Sequence, residues 1–390
     1  MFKEIIFFFS LYSFFQIKKL CIPKLINDKK KRREYFNYIN DCKRNKYYNV
    51  TKTYTDYPYL SVCLPVFNME KYVRNALLSI LNQSFQNFEI IIVNDNSYDK
   101  TVKILKKYSS DDRRIKIINH STNKGVYYSR IDSILNAKGE FILYMDPDDI
   151  YLTKDLFLNL FNYNSKYNLD IIEFSVFHQK EGRRSIYSPK SHLSNHFHNF
   201  SKQFIYQPEL STILFNIPNR NKSSFTICRN VWNKLIKKDI LLKMYQYIGK
   251  SYLNEYIIRA DDMLMNIIIN HFARNYSNIN YPGYLYNLRS VSMSRGEGGT
   301  ELKTIRTQNI LHYFQIFYKY IKQFDKNRTF IFNEIRRLIK YIYYTKDLHL
   351  TVQAKNIKDL LNDIINDVYS DIYFKIYAHK LLLFLEEEEI

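Results

Sequence analysis

The chain is predicted to be an α/β protein built on parallel strands with crossover helices. Three observations carry this. Apolar runs and amphipathic stretches alternate from Leu60 to Met145, the order that parallel strands with crossover helices require. The apolar runs are unbroken rather than alternating, as expected of strands covered on both faces. Each run is followed by a cluster of Asn, Asp or Glu, where open sheets of this kind bind ligands, beyond the carboxyl ends of their strands.

The first run, Leu60 to Phe67 (LSVCLPVF), is short, β-branched and bounded by polar residues, which marks a buried strand. Glu70 to Asn82 places Tyr72, Val73, Ala76, Leu77, Ile80 and Leu81 at helical spacing. Phe88 to Val93 is the second strand and Asp99 to Tyr108 the second helix. Ile115 to Ile118 is the third strand and Gly125 to Ala137 the third helix. Phe141 to Met145 closes the series as a fourth strand. Residues 25 to 56 are polar, charged and Tyr-rich, and read as a connector. From Glu301 onward apolar residues recur at helical intervals, and charges interrupt every run, so no membrane span is expected there.

Four polar clusters follow the four strands. They are Asn68 and Glu70; Asn94 to Ser97 with Asp99; Asn123 and Gly125; and Asp146, Asp148 and Asp149. One such loop is ordinary turn and cap chemistry. Four converging on one edge are not. The last cluster puts three carboxylates in four residues, and such a group repels itself unless a cation neutralises it. Hard divalent cations take oxygen ligands and share them with substrate phosphates. The alternative is an acidic turn capping a helix near Leu152.

In the order and spacing of these pieces, Ser61 to Tyr151 resembles the family 2 glycosyltransferases with the GT-A fold. The pieces are Pro65-Val66-Phe67-Asn68; Val93 to Ser97 with Asp99; Asn123, Gly125 and Arg130; Lys138-Gly139-Glu140; and Asp146-Pro147-Asp148-Asp149. The resemblance implies a mixed, mostly parallel sheet with a C-terminal helical appendage, a nucleotide-sugar donor and an inverting transfer to an acceptor hydroxyl. Pro65, Val66, Asn68, Glu70, Asp95, Arg130 and Asp146 would form the nucleotide-sugar pocket, with Asp95 receiving a uridine base N–H. Asp146 and Asp148 would hold Mn²⁺ or Mg²⁺ on the diphosphate. Where the family's turn commonly has Gly, this chain has Asn96, which tolerates the left-handed conformation.

Further along, Val231 to Leu235 resembles a W-x-K-L segment that frames the acceptor side. Trp232, the one tryptophan, is either a sugar-stacking platform or core. Asp261-Asp262 resembles the family's acidic pair at the start of a helix, whose second acid is the usual general base; the alternative is a charge pair favoured by the helix dipole. Tyr284 to Arg289 and Ser292 to Ser294 resemble the strand and loop that close over the donor. On these grounds Asp262 is the candidate base. Asp149, Trp232, Lys234, Asp261 and Arg289 are assigned to the acceptor or diphosphate side, and Arg289 or Arg295 to the phosphates. The competing readings are an inactive module of the same fold, serving as a binding or assembly subunit, and a basic peripheral membrane protein that merely contains an α/β scaffold.

Composition bounds the rest. A chain of 390 residues, 46% hydrophobic and 25% charged, suits a large domain with an accessory region and excludes a disordered scaffold. Its 36 Tyr and 28 Phe are spread through every segment and mark no site. A net charge of +20 points to anionic lipid or phosphorylated substrates, and no recognised module supports nucleic acid as a partner. The four Cys are scattered, so a zinc site or disulfide framework is not expected.

The run from Ile5 to Phe15 is apolar but shorter than the about 20 residues of a span, and Lys29 to Arg33 (KKKRR) follows it. That arrangement favours membrane-surface association with the catalytic domain facing the cytosol, the alternatives being an amphipathic helix packed on the protein's own body and a segment that targets an ER or Golgi lumen. The expected organisation is an apolar and basic segment with connector over 1–56, a GT-A domain over 57–298 and a helical region over 299–390. The acceptor class, whether glycan, lipid-linked or protein, is left open.

Overall fold

A computed structural model describes residues 24–25, 29–44, 51–181, 186–188, 204–206, 230–248 and 261–289, with isolated helical positions at Asp359, Asn362, Asn366 and His379. The apolar run at 5–15, Ser292 to Arg295 and the rest of the C-terminal region lie outside the described residues.

The predicted alternation is present. Strand β2 spans Leu60–Val66, β3 Phe88–Asn94, β4 Ile115–Asn119 and β5 Phe141–Tyr144. Helices α2 (Val73–Leu81), α3 (Thr101–Asp111) and α4 (Val126–Asn136) connect them. β3 pairs parallel with β2 and β4, and β2 pairs parallel with β5. Every residue of β2 is buried, which is why its sequence carries no alternation.

Helices cover this sheet on both sides. α2 packs with α3, while α4 packs with α6 (Lys238–Ile248), which in turn packs with α7 (Asp261–Phe272). Gly139, just before β5, lies against β2. A Cβ there would stand 2.5 Å from the Ser61 amide nitrogen, and the Gly139 N–H donates to the Ser61 hydroxyl at 2.8 Å. A side chain would push the two segments apart.

The second half of the sheet is built differently. Strand β10 (Lys234–Lys237) lies antiparallel between β5 and β7 (Ile171–Lys180). The long strand β11 (Asn275–Leu288) runs parallel to β7 and antiparallel to β6 (Ile150–Tyr151) and β9 (Phe204–Tyr206). Short β8 (Ile186–Ser188) and β1 (Lys24–Leu25) extend the other edge. The result is one mixed sheet, most of whose paired residues run parallel. Helix α5 (Leu156–Tyr167) leads from β6 into β7.

One segment differs from the expectation. Within the stretch read as a connector, Lys29–Lys43 forms helix α1. Its Tyr35, Tyr38, Ile39 and Cys42 are buried, a stripe at helical spacing. The stripe is built from Tyr and Cys in a charged surround, so its apolar period is faint in the sequence. Tyr38 donates its hydroxyl to the Ser79 carbonyl at 3.0 Å, fixing α1 on α2. Tyr35 and Ile39 pack with Ile150, Leu152 and Leu285, behind the acidic loop.

Candidate active site

The loops after β2, β3, β4 and β5 share one edge of the sheet, and the first two are interlocked. The Asn68, Met69 and Glu70 amides donate to Ser97 Oγ (3.0 Å), Thr101 Oγ1 (2.8 Å) and Asp99 Oδ2 (3.1 Å). In return, the amides of Tyr98 and Lys100 donate to Asn68 Oδ1 and Glu70 Oε2, both at 3.0 Å. Asn68 and Asn96 have φ of 52° and 62°, so Asn96 does take the left-handed conformation that Gly would supply. The Asn68 side-chain carbonyl and the Glu70 carboxylate are thus engaged by the neighbouring loop and tie the two loops together. Pro65 and Val66 are buried beneath it, and the Val66 carbonyl accepts from the Asp95 amide at 2.9 Å.

Asp95, at the end of β3, is buried. Its Oδ1 accepts from the Lys124 amide at 2.8 Å and meets His120 Nδ1 at 2.7 Å; its Oδ2 accepts from the Gly125 amide at 2.8 Å. Gly125 has a φ of 89°, open to glycine and strained for other residues. Asp95 therefore organises the turn into α4, and its four lone-pair positions retain one on Oδ2.

Arg130 sits on the inner side of α4, with its side chain 3% exposed. One amino group donates to Asp262 Oδ1, the other to Asp146 Oδ1 at 3.0 Å. Asp262 lies in the first turn of α7. Two segments distant in sequence thus meet on one guanidinium. Of the neighbouring Asp261, only the backbone belongs to the described structure.

The acidic loop leaves β5 and is held by β11. The Asp146 amide donates to the Tyr284 hydroxyl at 3.0 Å, and Asp149 Oδ1 accepts from the Asn287 amide at 2.8 Å. Asp148 Oδ2 is 2.6 Å from Arg289 Nε, and the Arg289 guanidinium lies over the Tyr72 ring, 5.1 Å from its centroid. The loop caps no helix: α5 starts only at Leu156. Burial, with the charge of Asp146 adding to it, raises the Asp148 carboxyl to about 6 despite Arg289. Burial and the Asp148 and Asp146 charges push Asp149 well above the carboxylate range.

Among the described residues, no three His, Cys, Asp or Glu side chains converge as a metal cage. The chemistry of the donor set nevertheless fits a hard cation. Asp146 and Asp148 offer carboxylate oxygens, and such cations complete their shells with water and substrate phosphates.

Trp232 and Lys234 turn away from such chemistry. Trp232 is 4% exposed and stacks on Tyr284 at 4.4 Å and Tyr286 at 5.5 Å between centroids. It supports the hydroxyl that holds the Asp146 amide. Lys234 is wholly buried, 3.2 Å from Glu173 Oε2, and donates to the Asn230 carbonyl at 2.5 Å. His120 was not singled out by the sequence. A lone His just past a strand carries no pattern, and its two partners, Asp95 and Asp132, lie on different elements.

Residues 61–230 match the model of the family described as Glycosyl transferase family 2. Glycosyltransferase GlyA of Streptococcus pneumoniae serotype 4 is 26% identical over 238 residues, 60% of this chain and 31% of that protein. The GalNAc(5)-diNAcBac-PP-undecaprenol beta-1,3-glucosyltransferase of Campylobacter jejuni is 37% identical over 97 residues, 25% of this chain and 31% of that protein. The chain thus spans under a third of the length of either relative. The crystal structure of S. aureus TarS 1-349 in complex with UDP-GlcNAc superposes with a TM-score of 0.55 at 19% identity, covering 84% of this chain and 88% of that one. At that identity the likeness is one of fold.

Proposed function

Because residues 61–230 form a Glycosyl transferase family 2 domain, we propose that the chain is an inverting glycosyltransferase that moves a sugar from a uridine diphosphate donor to an acceptor hydroxyl. The observation that carries the reading is the bridge from Asp262 through Arg130 to Asp146. It brings the candidate base to the candidate diphosphate loop.

In this reading Asp262 takes the proton from the acceptor hydroxyl as that oxygen attacks the anomeric carbon. A single displacement follows, the leaving group departs on the opposite face, and the product is inverted. Arg130 orients Asp262 and holds Asp146 in register with it. Asp95 offers its remaining acceptor position to the base, and the interlocked loops wall the nucleotide side. Arg289, beside Asp148 and over the Tyr72 ring, is the guanidinium proposed to pair with the phosphates. Asp146 and Asp148 are the residues that would hold Mn²⁺ or Mg²⁺, which would neutralise the diphosphate. Uridine is supported by Asp95 and by the TarS structure of like fold, which holds UDP-GlcNAc.

The catalytic unit is proposed to span 57–298, with 299–390 as a helical appendage. The apolar run at 5–15 and the basic stretch that follows support attachment to a membrane surface with the domain facing the cytosol. No described helix is long and apolar enough to cross a membrane. The relative from Campylobacter is named for a lipid-linked acceptor, which makes that class the first to assay.

Calorimetry with UDP and GDP in Mn²⁺ tests the donor, and sugar transfer by Asp262→Asn tests the base. No binding of either nucleotide ends the enzyme reading. Unchanged transfer by the variant ends the base assignment. Binding with no turnover on any acceptor turns the chain into an inactive binding module.

A further inference from the structure

His120 follows β4 and has a side chain 3% exposed between two carboxylates. Nδ1 is 2.7 Å from Asp95 Oδ1, and Nε2 is 2.9 Å from Asp132 Oδ2 on α4. Carboxylates only accept, so a ring nitrogen bonds its carboxylate as the donor. The edge-to-face Tyr128 ring at 5.4 Å closes a third side, and Lys124 Nζ lies 4.3 Å from that ring's centroid. The imidazole therefore spans β3 and α4 as a strut with one orientation.

Nothing in the proposed transfer uses this strut directly, yet it acts on the group assigned to the base. The Lys124 and Gly125 amides and His120 fill three of the four acceptor positions on Asp95. His120 is the one side chain among them. We propose that His120, clamped by Asp132, is a positioning residue that fixes Asp95 for base recognition and so sets the preference for uridine over cytidine. Uracil presents N3–H, a donor that an aimed carboxylate accepts. Cytosine presents an N3 lone pair, which the same carboxylate repels. An Asp95 free to swing welcomes the first less and rejects the second less. This rests on the uridine-donor reading above.

Two amide variants separate the two nitrogens. The Asn amide nitrogen falls near the place of imidazole Nδ1, and that of Gln near Nε2. His120→Asn keeps the donor to Asp95, whereas His120→Gln keeps only the donor to Asp132. Both are titrated with UDP and with CDP in Mn²⁺ by calorimetry, alongside thermal melts of each protein. The ratio of CDP to UDP dissociation constants is expected to fall about tenfold in His120→Gln, the size of one charge-assisted hydrogen bond, and to stay within about threefold in His120→Asn. A purely structural role would weaken both nucleotides alike and leave the ratio unmoved. An unchanged ratio in His120→Gln, an equal fall in both variants, or a wild type without preference for UDP over CDP overturns the inference while leaving the transferase reading in place. A wild type that binds neither nucleotide removes the donor reading, and this inference with it.

Discussion

Arg130 and Asp262 form a close ion pair between α4 and the first turn of α7, while the other Arg130 amino group holds Asp146. A planar guanidinium serves two carboxylates at once; an ammonium is a point charge without that fork. Arg130→Lys is therefore expected to keep the fold but lose one of the two links. The expected cost is about 10- to 100-fold in kcat/KM, the size of one charge-assisted hydrogen bond. Steady-state kinetics with a nucleotide-sugar donor measure it.

Asp262→Asn keeps the shape of the side chain and removes its basicity. The expected loss is about 10²- to 10⁴-fold in kcat, with nucleotide affinity within about twofold of wild type. A loss that fell on KM instead would make Asp262 a binding group. Product formation and calorimetry on the same preparation distinguish the two.

Chelation tests the acidic loop. EDTA should weaken UDP binding about tenfold or more, and Mn²⁺ should restore it. Asp148→Asn should lose the response to Mn²⁺. UDP affinity that ignores both treatments would show that Arg289 carries the diphosphate without a cation.

Tyr284 offers a test of how the loop is held. Its hydroxyl receives the Asp146 amide while Trp232 stacks on its ring. Tyr284→Phe keeps the stack and leaves that amide without its acceptor, at a cost of about 1–3 kcal/mol. Thermal melts should record the loss, together with a weaker response of UDP binding to Mn²⁺. Trp232→Phe should melt lower through lost packing while its acceptor KM stays at the wild-type value. A raised acceptor KM would instead return the indole to the acceptor side.

Acid stability should report on Asp112, buried next to Arg114 at 2.8 Å. Burial alone would raise its carboxyl, but the Arg114 hydrogen bonds and charge outweigh that and hold it below its ordinary 3.8. A depressed folded-state value means the stabilisation is complete above the unfolded value and is lost as pH falls through the folded one. Stability from this group should thus be flat near neutrality and decline below pH 3.8. Asp112→Asn should cost about 3 kcal/mol at pH 7, as breaking a buried pair does, and show a shallower acid decline. Urea melts across pH check both.

Much of the parallel half of the sheet was legible because β2, β3 and β5 are covered on both faces, which forces unbroken apolar runs. Their ends fell within a residue or two of the predicted ones. Asn96 was legible because its φ requirement narrows the choice to a few residue types. Helix α1 was hidden, since Tyr and Cys formed its buried stripe. The sequence placed Asn68 and Glu70 on the correct edge but could not show that neighbouring-loop amides occupy them. His120 and the Arg130–Asp262 pair depend on contacts between distant segments, and no local period records such contacts.

The reciprocal hydrogen bonds between the loops after β2 and β3 have a consequence for anyone reshaping this protein. Each loop is the other's template: a replacement for 67–72 must present partners that the 95–101 turn already expects, and the reverse holds equally. Grafts from a protein of like fold should succeed when both loops travel as a cassette and fail when one is exchanged alone. The shape of this sheet edge is then inherited in paired modules, and single-loop libraries would sample misfolded loops instead of new surfaces.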